Sequence, residues 1–154
     1  MSDHEQQSNK QVAVAAWACR VCFALVFTMN VQCAFSYIFM SESFVGGFQL
    51  SGVEGTVAVQ GIGVAFLMLN ATYPAFIVFP QRFRALGAII LFQQAIGLVG
   101  ESMIYLSLPE FGYAQLAHSI ARFIVFDAIG LVLMTLSFVA LCTITRNRGR
   151  RASR

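Results

Sequence analysis

Residues 116–145 read LAHSIARFIVFDAIGLVLMTLSFVALCTIT, an apolar run of 30 residues that contains two charged side chains, Arg122 and Asp127. A helix needs about 20 mostly apolar residues to cross the hydrocarbon core of a bilayer. Three further runs of this kind occupy residues 12–40, 56–79 and 85–108. The predicted fold class is therefore all-α, an integral membrane bundle of four transmembrane helices.

The composition supports a membrane protein. Of the 154 residues, 58% are hydrophobic and 11% are charged, whereas soluble domains carry about 25% charged residues. This excludes a soluble enzyme, a disordered chain and a disulfide scaffold. The predicted organisation is a flexible polar tail at residues 1–11, a four-helix transmembrane domain at 12–145 and a basic tail at 146–154.

The distribution of basic residues predicts the orientation of the bundle. The basic residues outside the apolar runs lie in the two tails and in the second connection: Lys10, Arg82, Arg84, Arg146, Arg148, Arg150, Arg151 and Arg154. The other two connections carry only the acidic residues Glu42, Glu54 and Glu110. Cytoplasmic connections are enriched in Lys and Arg, so both termini are predicted to be cytoplasmic. The arginines of the C-terminal tail are interpreted first as part of this topology signal, and contact with anionic lipids, rather than with nucleic acid, is the functional alternative.

Four charged residues lie inside the predicted spans, namely Arg20, Glu101, Arg122 and Asp127. A charge inside a membrane costs at least ~2.5 kcal/mol unless it is paired or near water. At 1.5 Å per residue, Glu101 and Arg122 share a depth of roughly 9 to 10 Å from the outer boundary, and Arg20 and Asp127 share one of roughly 16 to 18 Å. Two buried ion pairs are predicted. The alternative is that the charges line a cavity for a small polar ligand, a lipid headgroup or a proton.

Uncharged polar residues extend this candidate buried core. Gln94, Gly97 and Glu101 follow one another at helical spacing on the third span, and Gly97 allows another helix to approach closely. Asn70 precedes Pro74 by four residues, so its carbonyl loses its helical partner and a kink is expected there. The candidate buried polar core comprises Arg20, Asp127, Glu101, Arg122, Gln94 and Asn70.

Cys19 and Cys22 form a C-x-x-C sequence, which in a redox protein brings two thiols within reach of each other. They also begin a run at helical spacing that is typical of helix packing: Cys19, Cys22, Val26, Met29 and Cys33. Packing is the favoured interpretation, with a redox thiol pair as the alternative. With only two histidines, His4 and His118, the chain offers no paired-histidine haem site. No metal, no cofactor and no catalytic residue are predicted.

The first connection contains residues 44–50, FVGGFQL, which are apolar for a loop. This segment is expected to lie in the outer membrane interface, with a shallow re-entrant turn as the alternative.

Several segments carry a resemblance to known proteins. With four short helices, Arg20 early in the first span, LNATYP at residues 69–74 and glycine-rich turns, the chain resembles the DoxX-like group of small bacterial membrane proteins. The segments QAIGLVGES at 94–102 and RFIVFD at 122–127 are similar to parts of uncharacterised bacterial four-helix proteins. The resemblance implies a bacterial inner-membrane location and an accessory association with membrane redox or envelope processes. It carries over no catalytic residue.

Three function classes are compatible with the sequence. The first is a non-enzymatic accessory or scaffold protein that contacts lipids and another membrane protein or a second copy of the chain. The second is a small-molecule or lipid binder or transporter that uses the intramembrane charges. The third is a quinone-linked redox protein that uses Cys19 and Cys22. A cavity that reaches the charges favours the second class, and sulfur atoms exposed to a pocket favour the third.

Overall fold

A computed structural model describes the backbone of residues 3–152 and the side chains of residues 6–7 and 9–150. Residues 1–2 and 153–154 of the predicted tails lie outside the described residues, as does the side chain of Arg151. Residues 3–152 are helical apart from short connections and contain no strand. The elements are α1 Asp3–Phe39, α2 Glu42–Val45, a 3-10 helix Gly46–Phe48, α3 Gly52–Asn70, α4 Tyr73–Val78, α5 Arg84–Ser107 and α6 Ala114–Ala152.

Four segments are long and apolar enough to cross a membrane, as the sequence predicts: Asn9–Phe39, Gly52–Val78, Arg84–Ser107 and Ala114–Arg150. The first and last helices, α1 and α6, extend further than their apolar runs. Residues 3–11 continue α1, although this segment is expected to be a flexible tail, and α6 continues to Ala152 through most of the basic tail. No proline interrupts either helix, and Gln, Glu, Lys and Arg are good helix formers, so helix continues into the polar segments.

The four spans alternate in direction, which gives the bundle two distinct ends. The termini end carries both chain ends and the connection between α4 and α5, and the loop end carries the connections before α3 and before α6. Helix α1 packs against α3, α4 and α6, and α5 packs against α6 and α4. Helices α1 and α6 therefore form the centre, with the second span on one side and α5 on the other.

The second span is interrupted in its last third. Helix α3 ends at Asn70, and α4 begins at Tyr73 with Pro74 in its first turn. Proline fits a first turn because the N–H groups there have no partner inside the helix. The kink expected at Pro74 is thus a complete interruption of the helix, and it allows the short α4 to contact both α1 and α5.

The two ends of the bundle are packed differently. At the termini end, four helices bury one cluster: Ala15, Ala16, Cys19, Phe23, Val26, Tyr73, Phe76, Ile90, Met134 and Leu141. At the loop end, a smaller cluster of Tyr37, Val45 and Val59 is bordered by partly buried aromatic side chains. The loop end therefore buries fewer side chains, which leaves space between α1 and α6.

A glycine sets the distance between α1 and α3. A Cβ atom at Gly63 would lie 2.8 Å from the carbonyl oxygen of Ala34, which is closer than two such atoms approach. Small residues at helix contacts let membrane helices pack backbone against backbone. The neighbouring Gly61 has nothing within 4 Å of its added Cβ, so it provides a matched position without this constraint.

We expect Gly63→Ala to destabilise the protein, because the backbone carbonyl at Ala34 cannot move without separating α1 from α3. The cost of such overpacking is about 1 to 3 kcal/mol. Gly61→Ala is the control and should leave stability unchanged or raise it by up to about 1 kcal/mol, because alanine favours helix. Thermal unfolding in detergent, followed by circular dichroism, measures both. Equal stability of the two variants would contradict the close contact.

Candidate functional site

Arg20 of α1 binds the end of α4. Its Nε donates to the carbonyl of Ile77 at 3.2 Å, and its Nη2 donates to the carbonyl of Val78 at 3.0 Å. These are the last two residues of α4, and terminal carbonyls have no partner inside their own helix. The guanidinium also lies 5.2 Å from the ring centre of Trp17. Arg20 is therefore satisfied by backbone carbonyls and an aromatic ring.

Asp127 lies about a third of the way along α6 and faces α5. Its Oδ1 accepts a hydrogen bond of 2.8 Å from Nε2 of Gln94, a residue that is 7% exposed. Its Oδ2 faces Gly97, where an added Cβ would lie only 3.2 Å away. The absence of a side chain at Gly97 thus leaves room for the second carboxylate oxygen.

The two predicted ion pairs, Arg20 with Asp127 and Glu101 with Arg122, are not formed. None of these four side chains, all of which the structure describes, lies within 4.0 Å of an opposite charge. The depth expected for Arg20 is counted from residue 12, the start of its apolar run, and Arg20 instead binds the end of α4. Residues 12–40 form a run of 29 residues, which is ~43 Å of helix against a core of ~30 Å. The start of this run therefore does not mark the membrane boundary.

Arg122 is exposed at the loop end of the bundle, where its side chain lines a cavity of about 630 Å³, so unlike Gln94 and Asn70 it does not belong to the buried part of the predicted polar core. Its guanidinium makes no hydrogen bond or ion pair within the described part of the chain. His118 lies one turn before Arg122 on the same side of α6. A more open groove of about 430 Å³ along α6 also contacts His118 and Arg122, so these two side chains lie where the cavity meets the surface.

The cavity lies between α1 and α6. Its aromatic lining consists of Tyr37, Phe44, Phe48, Phe66, Phe123 and Phe126. Its polar lining includes Asn30, Gln115, His118, Ser119, Arg122 and Asp127. Pockets that bind small molecules are typically 300 to 1,000 Å³, mostly apolar, with a few polar groups that fix orientation. The size and the lining of this cavity both fit that description.

The connection between α1 and α3 closes the loop end of the cavity. Gln49 is held in the left-handed region at φ 53°, which non-glycine residues rarely adopt. From there its Nε2 donates to the carbonyl of Gly112 at 2.7 Å, and its Oε1 accepts from the backbone N–H of Leu116 at 3.1 Å. The hydroxyl of Ser119 also donates to the carbonyl of Gly47 at 2.7 Å. These bonds fix the connection to the start of α6.

Glu101 and Asn70, two further members of the predicted polar core, each have a buried side-chain oxygen atom that accepts no hydrogen bond from the described residues. Glu101 lies one turn beyond Gly97 on α5, and its Oε2 is buried without a hydrogen bond. Asn70 is 4% exposed, and its Nδ2 donates to the carbonyl of Phe66 at 2.8 Å while its Oδ1 has no donor. Neither Glu101 nor Asn70 lines the cavity. Buried acceptors usually have a partner, so each can accept a hydrogen bond from water.

The cysteines lie mostly outside this region. All four thiols are free, and Cys19 is completely buried in the termini-end cluster. Neither Cys19 nor Cys22 lines the cavity, whereas Cys33 does. The C-x-x-C pair therefore lies away from this cavity. Among the described residues, no group of three or more metal-binding side chains is arranged to hold an ion.

The sequence pattern does not single out several residues that shape the cavity. Asn30 is a polar residue inside an apolar run, which is a signal, but Tyr37 and Phe123 resemble ordinary core residues. Gln49 gives no signal because its role depends on an unusual backbone conformation. The sequence therefore indicates the charged residues but not the space that they face.

Comparison of the chain with family models, with curated proteins and with solved structures gives no match. The fold and the site define the chain as an all-α bundle with four helices able to span a membrane and a charged cavity at one end.

Arg20 and Asp127 have separate partners, so we expect the effects of Arg20→Met and Asp127→Leu on unfolding free energy to add within about 0.5 kcal/mol. Gln94→Leu and Asp127→Leu form the matched cycle. Because their side chains share a hydrogen bond, the double variant should lose about 0.5 to 3 kcal/mol less than the sum of the single variants. Equilibrium unfolding in mixed detergent micelles measures both cycles. Strong coupling between Arg20 and Asp127 would show that they are in contact.

Proposed function

We propose that this protein binds a small amphiphilic molecule in the cavity at the loop end of its bundle. The observation that carries the proposal is Arg122, a guanidinium inside a spanning helix that faces a cavity of about 630 Å³ and makes no hydrogen bond within the described residues. An intramembrane charge without a protein partner is expensive and is a sign of a functional site. An anionic group of a ligand is the partner that this geometry favours.

The lining supports an amphiphile rather than a fully polar solute. Six aromatic side chains line the cavity, and its two charged side chains, Arg122 and Asp127, both lie on α6. The groove beside His118 and Arg122 joins the cavity to the side of the bundle. A molecule dissolved in the membrane can therefore reach Arg122 laterally without crossing the aromatic cluster.

We therefore favour the binder or transporter class over the scaffold class and the redox class. A scaffold with self-neutralising ion pairs requires Arg20 to bind Asp127, but Arg20 binds carbonyls of α4 instead. The redox class needs sulfur atoms beside a pocket, and Cys19 and Cys22 do not line the cavity. No observation favours a catalytic step, so binding or transfer of the molecule is the proposed activity.

The proposal includes an orientation and a location. The termini end carries Lys10, Arg82, Arg84 and the arginines of the last turns of α6, which supports a cytoplasmic position for this end. The cavity then opens toward the outer leaflet. The resemblance to DoxX-like proteins supports the inner membrane of a bacterium, with membrane lipids as partners.

Arg122→Gln tests the binding proposal. Hexyl phosphate, a short amphiphile with one anionic group, should raise the melting temperature of the wild-type protein in maltoside detergent but not that of the variant. The unliganded variant should melt within about 2 °C of wild type, because Arg122 makes no bond that the substitution removes. Native mass spectrometry should detect the bound phosphate ester in wild type only.

Arg84→Gln is the control for this experiment. Arg84 is exposed at the start of α5, at the opposite end of the bundle, so its loss should leave the response to hexyl phosphate unchanged. Equal responses of wild type and Arg122→Gln would contradict the proposed site. A large loss of stability in the unliganded Arg122→Gln protein would instead favour a structural role for Arg122.

The orientation has a separate test. A reporter that is active only in the cytoplasm, fused after Arg154, should be active in bacterial cells, because the basic residues of both tails favour that side. Activity of a periplasm-specific reporter at the same position would reverse the orientation and the leaflet from which the cavity is reached.

A further inference from the structure

We infer that the ligand is a zwitterion, with an anionic group bound by Arg122 and an ammonium group bound by Asp127; this inference rests on the proposed function and names its ligand class. Both residues line the same cavity, and neither has an oppositely charged partner within 4.0 Å among the described residues. One cavity therefore contains an unmatched cation and an unmatched anion on one helix.

Charge balance favours a zwitterion over a simple anion. Arg122 and Asp127 together contribute no net charge to the cavity. A ligand with a single negative group neutralises Arg122 but leaves Asp127 uncompensated, and an uncompensated charge in low dielectric is costly. A ligand with one group of each sign satisfies both residues and adds no net charge.

The anionic end is defined by donors on one side of α6. His118 and Arg122 are one helical turn apart and both line the cavity and the adjoining groove. A guanidinium presents several N–H donors in a fixed plane, which suits the oxygen atoms of a phosphate or a carboxylate. The imidazole of His118 can add one more N–H donor to the same group.

The cationic end is defined by Asp127. Its Oδ1 accepts from Gln94, while Oδ2 faces the space left by Gly97. Phe126 is next to it in the chain, and Phe66 and Phe123, whose ring centres are 6.1 Å apart, line the same cavity. Aromatic faces attract ammonium groups, so a carboxylate in a cavity lined by aromatic rings is suited to a primary or quaternary ammonium.

The spacing of the two residues limits the ligand. Five residues separate Arg122 from Asp127, which is ~7.5 Å along the helix axis. The arginine side chain is long enough to reach toward Asp127, so two ligand charges separated by roughly 4 to 8 Å fit between them. A phosphate joined to an ammonium by a two-carbon linker has this spacing. This chemistry is shared by the headgroups of zwitterionic phospholipids and by the free phosphoammonium compounds.

The test compares four probes on the purified full-length protein in maltoside detergent, by isothermal titration calorimetry. They are hexyl phosphate, hexyltrimethylammonium, hexylphosphocholine and free phosphocholine. We expect hexylphosphocholine to bind at least about tenfold more tightly than the two singly charged probes, because it alone satisfies both residues. Tight binding of free phosphocholine identifies a soluble ligand, and a requirement for the hexyl chain identifies a lipid.

Two variants assign the ammonium end to Asp127. Asp127→Asn keeps an acceptor for Gln94 but removes the charge, so it should abolish the advantage of hexylphosphocholine and leave hexyl phosphate binding undiminished. Gly97→Ala keeps the charge and places a methyl group against Oδ2, and it should have the same effect. Gly100→Ala is the matched control on α5, because nothing lies within 4 Å of a Cβ there.

The outcomes separate the two proposals. If hexyl phosphate binds in a manner that depends on Arg122 while hexylphosphocholine gains nothing from Asp127, the zwitterion inference is wrong and the binding site stands. If no probe binds, or all bind equally to Arg122→Gln, the proposed function itself is wrong. Equal binding of hexylphosphocholine by Gly97→Ala and Gly100→Ala also contradicts the assignment of the ammonium group to Oδ2.

Discussion

The contact of Arg20 with the end of α4 determines how the polar residues of this bundle are distributed. A guanidinium near hydrocarbon requires oxygen acceptors, and Arg20 obtains them from the carbonyls of Ile77 and Val78. The same contact satisfies a helix end that has no partners of its own and places a positive charge at the negative end of the helix dipole. Because Arg20 is satisfied in this way, Asp127 is left to Gln94 and to the cavity.

The interruption of the second span makes that contact available. A continuous helix through Pro74 would carry its last carbonyls along the axis of α3, whereas the separate α4 contacts both α1 and α5. The termini end of the bundle thereby becomes a filled core of four helices. At the loop end the short helices, α2 and the 3-10 helix, join α1 to α3 instead, and the space between α1 and α6 remains open there.

The sequence predicts the number of spans and a kink at Pro74, because long apolar runs and proline act locally. It also indicates Arg122 and Asp127 as unusual residues. It does not predict which groups the charged residues bind. Arg20, for example, binds the backbone carbonyls of Ile77 and Val78, and every residue has such a carbonyl, so the sequence does not mark these two. The sequence also does not predict the hydrogen bonds by which Gln49 fixes the first connection to the start of α6. These bonds depend on a backbone conformation that glutamine rarely adopts.

The loop end combines several features that lower stability. The cavity gives up packing contacts, Gln49 is held at a positive φ, and the Oε2 of Glu101 is buried without a donor. The termini end of the same chain is well filled, which shows that this sequence can form a well-packed core. Features that reduce stability and gather at one site are typical of functional regions. An amphiphile that fills the cavity restores packing contacts there and also pairs Arg122, so the bound state is the one in which the packing and the charges of the loop end are consistent with each other.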